Sequence, residues 1–178
     1  YKDFVNFPFK LYKDSKYWVP PISNEELEMM DKTKNPVFNN AEAEYFLAFK
    51  NNEIVGRIAA IVNWVEVNEQ SKNKVRFGWY DVINDIEVSK KLIEAVIDFG
   101  KERKLSFIEG PVGFSNMDKA GLLTHGFNEL NTMITWYHNP YQKDHLERLE
   151  MKKLAEWVEY RIQIFNEKEA PEKELLFR

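Results

Sequence analysis

Residues 84–111 read NDIEVSKKLIEAVIDFGKERKLSFIEGP, and this stretch decides the fold. Val88, Leu92, Ala95, Val96 and Phe99 recur at helical spacing, and Ile93 and Ile97 widen the apolar stripe. Lys90, Lys91, Glu94, Asp98, Lys101 and Glu102 lie mostly off that stripe, as a solvated face requires. Asn84 with Glu87 three residues later has the form of a capping box. The basic residues between Lys101 and Lys104 put positive charge at the helix C-terminus, where the helix dipole favours it. Leu105, Phe107 and Ile108 then form a short strand, stopped by Gly110-Pro111. With the aromatic-rich segment ahead of it, this is a strand–helix–strand unit. Its function should be sought at the N-terminus of the helix.

The surrounding chain has 178 residues, enough for one domain with a sizeable core, and 44% of them are apolar. The net charge of −4 and the lack of a basic cluster make nucleic acid and anionic membrane surfaces poor partners. There is no cysteine, which removes disulfides, thiolate nucleophiles and zinc–thiolate sites and is compatible with a cytoplasmic protein. No apolar run approaches the ~18 residues of a membrane span.

Ahead of the central unit, residues 3–12 have roughly helical spacing with Pro8 as a kink or boundary, and Ser23 caps a short helix over 24–31. Residues 44–50 and 53–64 form a hairpin around Asn51-Asn52, with Gly56 at a bulge or a close approach. Residues 66–73 are a charged connection, and residues 74–83 (KVRFGWYDVI) form a third strand. Strict alternation there places Val75, Phe77, Trp79 and Asp81 on one face. Asp81 among aromatics is either a strand-end carboxylate bonded to a loop or a catalytic group. Behind the unit, residues 112–139 are irregular, and four of the chain's seven glycines lie between Gly110 and Gly126. Such a stretch within a domain is commonly functional. A helix over 139–153 and a last alternating strand over 156–165 follow, and then a polar run, 166–174, reads as a solvated linker.

Several chemistries are excluded. Gly113-Phe114-Ser115-Asn116-Met117 lacks the second glycine of a nucleophile elbow. His125, His138 and His145 include no i, i+4 pair for a helical metal site, so no metal is expected. There is no Walker loop and no dinucleotide fingerprint. Asp118 and Glu129 could act as acid or base, or could simply make turn hydrogen bonds.

The order of elements, with the text EVSKKLIEAVIDFGKERKLSFIEGPV, resembles the GNAT superfamily of acyl-CoA-dependent N-acyltransferases over residues 44–164. DFVNFPFKLYKDSKYWVPP, RFGWYDVINDIEV and GPVGFSNMDKAGLLTHGF look more closely like a group of prokaryotic GNAT-like proteins. The resemblance implies an α/β (α+β) fold with a mixed, mostly antiparallel sheet flanked by helices. It also implies a domain over residues 1–165, with residues 166–178 a charged linker or the start of a further element. In this group a strand precedes position 1 and more sequence follows position 178, so the chain is expected to be part of something longer.

As to chemistry, the resemblance implies transfer of an acyl group from acetyl-CoA or another acyl-CoA to a small-molecule or peptide amine. Asp81 would be the base and Tyr141 the acid, because Leu146 stands where the family's acidic tyrosine lies. Ile83, Asn84, Ser89, Ile108 and Gly110 would flank the coenzyme, and the glycine-rich region 110–127 would shape the acceptor site with Asn116, Asp118 and Glu129. The family's pyrophosphate loop has the form Arg/Gln-x-x-Gly-x-Gly/Ala, and here residues 84–89 replace its glycines with Glu87 and Ser89. Asp85 and Glu87 would repel a dianion, each by about 1–4 kcal/mol near a surface, so weak coenzyme binding is expected. Alternatively the domain is a degenerate GNAT-like binding or interaction module, paired with a second copy or a second GNAT-like domain.

Overall fold

The computed structural model describes residues 1–115, 117–133, 135–160 and 162. Two helices, α1 (Lys2–Leu11) and α2 (Ser23–Met30), precede the hairpin β1 (Ala41–Lys50) and β2 (Glu53–Asn63). A short helix α3 (Trp64–Asn68) leads to β3 (Lys74–Val82), the central helix α4 (Ile86–Glu102), β4 (Phe107–Glu109) and α5 (Pro140–Arg148). The sheet order is β1-β2-β3-β4. The first two pairings are antiparallel and the last is parallel, as the strand–helix–strand unit requires. The fold is therefore mixed α/β, with a mostly antiparallel open sheet flanked by helices. Asn51 and Asn52 both take positive φ, the backbone of a tight two-residue hairpin turn.

Two apolar clusters pack on opposite faces of the sheet. On one face, Val88, Leu92, Val96 and Phe99 of α4 cover Ile58, Ala60, Phe77 and Tyr80. Burying each of the larger side chains is worth about 1.5–3 kcal/mol. On the other face, Phe4 and Val5 of α1 and Met30 of α2 pack with Ile61, Trp79 and Phe114. Strict alternation along β3 fails here. Arg57 pairs with Asp81 but Ala59 pairs with Gly78, so β3 carries one extra residue at a bulge, where Trp79 has φ 48°. The bulge puts Phe77 and Tyr80 on the α4 face and sends Trp79 to the α1 face. Period-two counting cannot register an inserted residue.

Other boundaries move for local reasons. The central helix is capped by Asp85, whose side chain accepts the Glu87 N–H, and not by an Asn84–Glu87 box. Ser23 lies inside α2, whose N-cap is Ile22. The 66–73 connection begins inside α3, capped by the Asn63 side chain. The last helix ends at Arg148, and Glu150 takes φ 64°. Residues 156–160 and 162 form no strand despite their alternation, and the remainder of the expected 156–165 strand and the 166–174 linker lie outside the described residues.

Glycines mark two close approaches. A Cβ at Gly56 would meet Leu92 Cδ1 of α4 at 2.9 Å, a flexible side-chain end. A Cβ at Gly78 would meet the Val112 backbone oxygen at 2.7 Å, which cannot yield without moving the main chain. Gly78→Ala should therefore cost about 1–3 kcal/mol in urea unfolding, and more than Gly56→Ala.

Candidate functional site

Strands β3 and β4 run side by side only from Lys74–Phe107 to Arg76–Glu109. Val112 then donates its N–H to the Phe77 carbonyl at 2.8 Å, and past that point no strand pairs with this edge of β3 among the described residues. The first turns of α5 fill the opening. Tyr141 donates its hydroxyl to the Val82 carbonyl at 2.9 Å, and Gln142 Nε2 donates to the Tyr80 carbonyl at 2.9 Å. These carbonyls are two residues apart and face the same edge, as alternate ladder positions do. Burial raises the Tyr141 pKa, outweighing the bond from Asn139, so its hydroxyl keeps its proton.

At the N-terminus of α4, Asp85 holds the Glu87 N–H with one oxygen and Lys50 Nζ, at 2.9 Å, with the other. The bond from Lys50 and that from the helix backbone hold the Asp85 carboxyl below its ordinary range. Ser89 in the first turn is fully buried. Its Oγ accepts the Tyr80 hydroxyl at 2.8 Å and lies 2.8 Å from His145 Nδ1. His145 Nε2 is in turn 3.2 Å from Asn84 Oδ1, which can only accept. The neutral ring thus carries its proton on Nε2, and donors run in one direction from Tyr80 through Ser89 and His145 to Asn84. Burial, followed by the charge of Arg148, lowers the His145 pKa and keeps that ring neutral.

On the opposite face, Asp81 is buried with both oxygens engaged. Tyr12 donates to Oδ1 at 2.6 Å, and Arg57 Nε and Nη2 both reach Oδ2 at 2.7 Å. Arg57 Nη1 also donates to the Phe4 carbonyl, and its guanidinium sits 5.0 Å from the Phe4 ring. Gln142 Oε1 lies 3.1 Å from the Tyr12 hydroxyl and accepts the Asn139 N–H. Burial, then Asp81, push the Tyr12 pKa well up. His138 is 1% exposed, and its Nδ1 has no hydrogen-bond partner among the described residues. Burial lowers its pKa to about 4 against the opposing pull of Asp81.

The expected site residues thus separate. Ile83, Asn84, Ser89 and Tyr141 gather where β3 meets α4 and α5, and Asp81 lies on the opposite face of the sheet against Arg57 and Tyr12. Ile108 is paired with Val75 inside the β3–β4 ladder, and Gly110 packs against Phe77. The Ile83 N–H is already used by the Val55 carbonyl. Asp118 accepts the Ser115 N–H, a turn bond, and lines a cavity of about 190 Å³ with Met29, Asn35, Val37, Phe114 and Ser115. Glu129 sits in a turn closed on the Gly126 carbonyl, and Asn116 lies outside the described residues. Among the described residues, no group of three or more His, Cys, Asp or Glu could hold a metal, and no helix is long and apolar enough to cross a membrane. Sequence reasoning missed Tyr12, Arg57 and Gln142, and it considered His138 and His145 without assigning them a place in the site. Gln142 was open to detection, three residues after Asn139 at a helix start. The others meet across long chain separations and leave no local signal.

The chain is 31% identical over 162 residues to Protein YghO of Escherichia coli (strain K12), covering 89% of this chain and 41% of that protein. It is 28% identical over 140 residues to the Bacterial ceramide synthase of Caulobacter vibrioides, covering 78% of this chain and 36% of that one. The chain therefore spans about two fifths of the length of these curated relatives. No protein-family model matches it, and no solved structure matches it significantly.

Proposed function

We propose that the chain is the GNAT-like part of an acyl-CoA-dependent N-acyltransferase, which transfers an acyl group to an amine. The observation that carries this reading is the similarity to a protein named for ceramide synthesis. A ceramide is an N-acyl lipid, so its formation makes an amide bond. The open β3 edge supports the same reading, because the pantetheine arm of a coenzyme thioester carries amide groups that can bond to strand carbonyls. Tyr141, proton-bearing and at that edge, suits the acid that protonates the departing thiolate. Asp81 suits the base less directly, since it would have to leave both Arg57 and Tyr12 to take a proton. A lipid amine is the acceptor class most in keeping with the relative's name.

The test is calorimetric titration of acetyl-CoA and a long-chain acyl-CoA into this chain and into the full-length protein that contains it. Binding of either thioester to the full-length protein, and weaker binding to this chain alone, with amide formation when a long-chain amine is added, is the expected result. Absence of binding to both proteins would overturn the proposal.

A further inference from the structure

We propose that α5 is a movable plug. It occupies the ladder positions on the open edge of β3 that an extended, amide-bearing ligand would take, and it must shift as a unit for that ligand to bind. The ligand class rests on the acyl-CoA reading above, but the plug itself is argued from the geometry of this chain. The carbonyls of Tyr80 and Val82 are both met by α5 side chains, Gln142 and Tyr141, and not by a strand. A ligand chain lying along β3 would present its own N–H groups to the same two oxygens, so helix and ligand compete for them.

The seat of α5 is mostly polar. Of its buried residues, Gln142 and His145 act through hydrogen bonds, and Leu146 alone joins the apolar core fully buried. Elements held by few buried apolar contacts open at lower cost than the global unfolding of the domain. The chain entering α5 is anchored at the buried His138, so the shift is one of the helix beyond that point, and after Leu149 the backbone turns through a positive φ at Glu150. Displacement would uncover Ser89 and Asn84 at the start of α4, both now held by His145. It would also free the Tyr141 hydroxyl from Val82, leaving it able to donate elsewhere.

Because the chain has no cysteine, one introduced thiol reports on the motion. Ser89→Cys places a thiol beneath α5, and Ala60→Cys places one in the sheet core, both at fully buried positions. Under native conditions the thiol at 89 should react with a maleimide about 100-fold faster than the thiol at 60, since only the second needs global opening. Native-state hydrogen exchange of the unaltered chain is the companion measurement, because Ser89→Cys itself disturbs the Tyr80 and His145 bonds. Amides of α5 should exchange well before those of α4 and β2. Equal labelling rates, together with α5 amides that exchange only with α4 and β2, would overturn the plug whether or not any thioester binds. Early exchange of α5 in a protein that binds no thioester would leave the plug standing and remove the acyl-CoA reading instead.

Discussion

Asp81→Ala is expected to lose about 3–5 kcal/mol of folding stability, because it removes one partner of a buried ion pair and leaves the other charge uncompensated. Arg57 is almost fully buried, with Nε and Nη2 both directed to Asp81, and the Phe4 carbonyl alone cannot balance its charge. Tyr12 would at the same time lose the acceptor for its hydroxyl. For a domain of this size, that loss corresponds to a drop in Tm of about 6–20 °C. An Arg57→Met/Asp81→Leu double variant should recover much of it, since exchanging a buried pair for apolar groups of similar volume is often neutral or better. Thermal and urea unfolding of the three proteins decide the matter. If Asp81→Ala unfolds within about 0.5 kcal/mol of the unaltered chain, as an ordinary surface change would, the ion pair is not the fastening described here.

The same result separates the two roles open to Asp81 in the sequence. A carboxylate kept only as a base should be removable at little cost to stability, as catalytic groups often are. One that joins α1 to β2 and β3 should not. Through Arg57 and Tyr12, Asp81 links the Phe4 backbone of α1, the chain after α1 and the sheet, and Gln142 brings α5 against the same hydroxyl. The structural role is therefore present whatever chemistry the site performs.

Asp81 also shows how far the sequence could be read. The central unit was legible because α4 is long and strongly periodic, and a strand following such a helix in a short span must pair in parallel through a crossover. The hairpin was legible from Asn51-Asn52, residues that tolerate positive φ. The faces of β3 were not, because Trp79 occupies an inserted position that changes the parity of every residue after it. Asp81 was singled out as a lone carboxylate among aromatics, but its partner Arg57 sits on a neighbouring strand, 24 residues away. The polar seat of α5 was hidden for the same reason: His145 and Ser89 are 56 residues apart, and nothing local marks either as buried. Alternation in 156–165 predicted a strand that the described part of it, residues 156–160 and 162, does not form, since pairing needs a neighbouring strand and periodicity cannot supply one.

The second large effect is on pH dependence. His138 is held neutral by burial, with a folded pKa of about 4 against 6.5 for the ordinary ring. A lowered histidine pKa means that between these values the unfolded chain binds the proton more readily than the folded one. Stability from this group is therefore complete above about pH 6.5 and is lost as pH falls toward about 4. The difference corresponds to about 3.5 kcal/mol at most, using about 1.4 kcal/mol per pH unit. His145 contributes with the same sign, because its folded pKa is also lowered, by burial and then by Arg148. Carboxylates held low in the fold, such as Glu66 and Asp85, lose their contribution at lower pH, below the ordinary carboxylate range. Burial raises the Glu66 pKa, but Arg76 and Lys74 outweigh it, and Asp85 is held down chiefly by Lys50. The urea midpoint should thus fall between pH 6.5 and 5 before most carboxylates titrate. In His138→Phe, where the ring stays apolar and the unpartnered Nδ1 is gone, that early part of the fall should shrink to what His145 contributes. An unchanged slope between pH 6.5 and 5 in the variant would show that the buried ring at 138 does not govern the acid response of the fold.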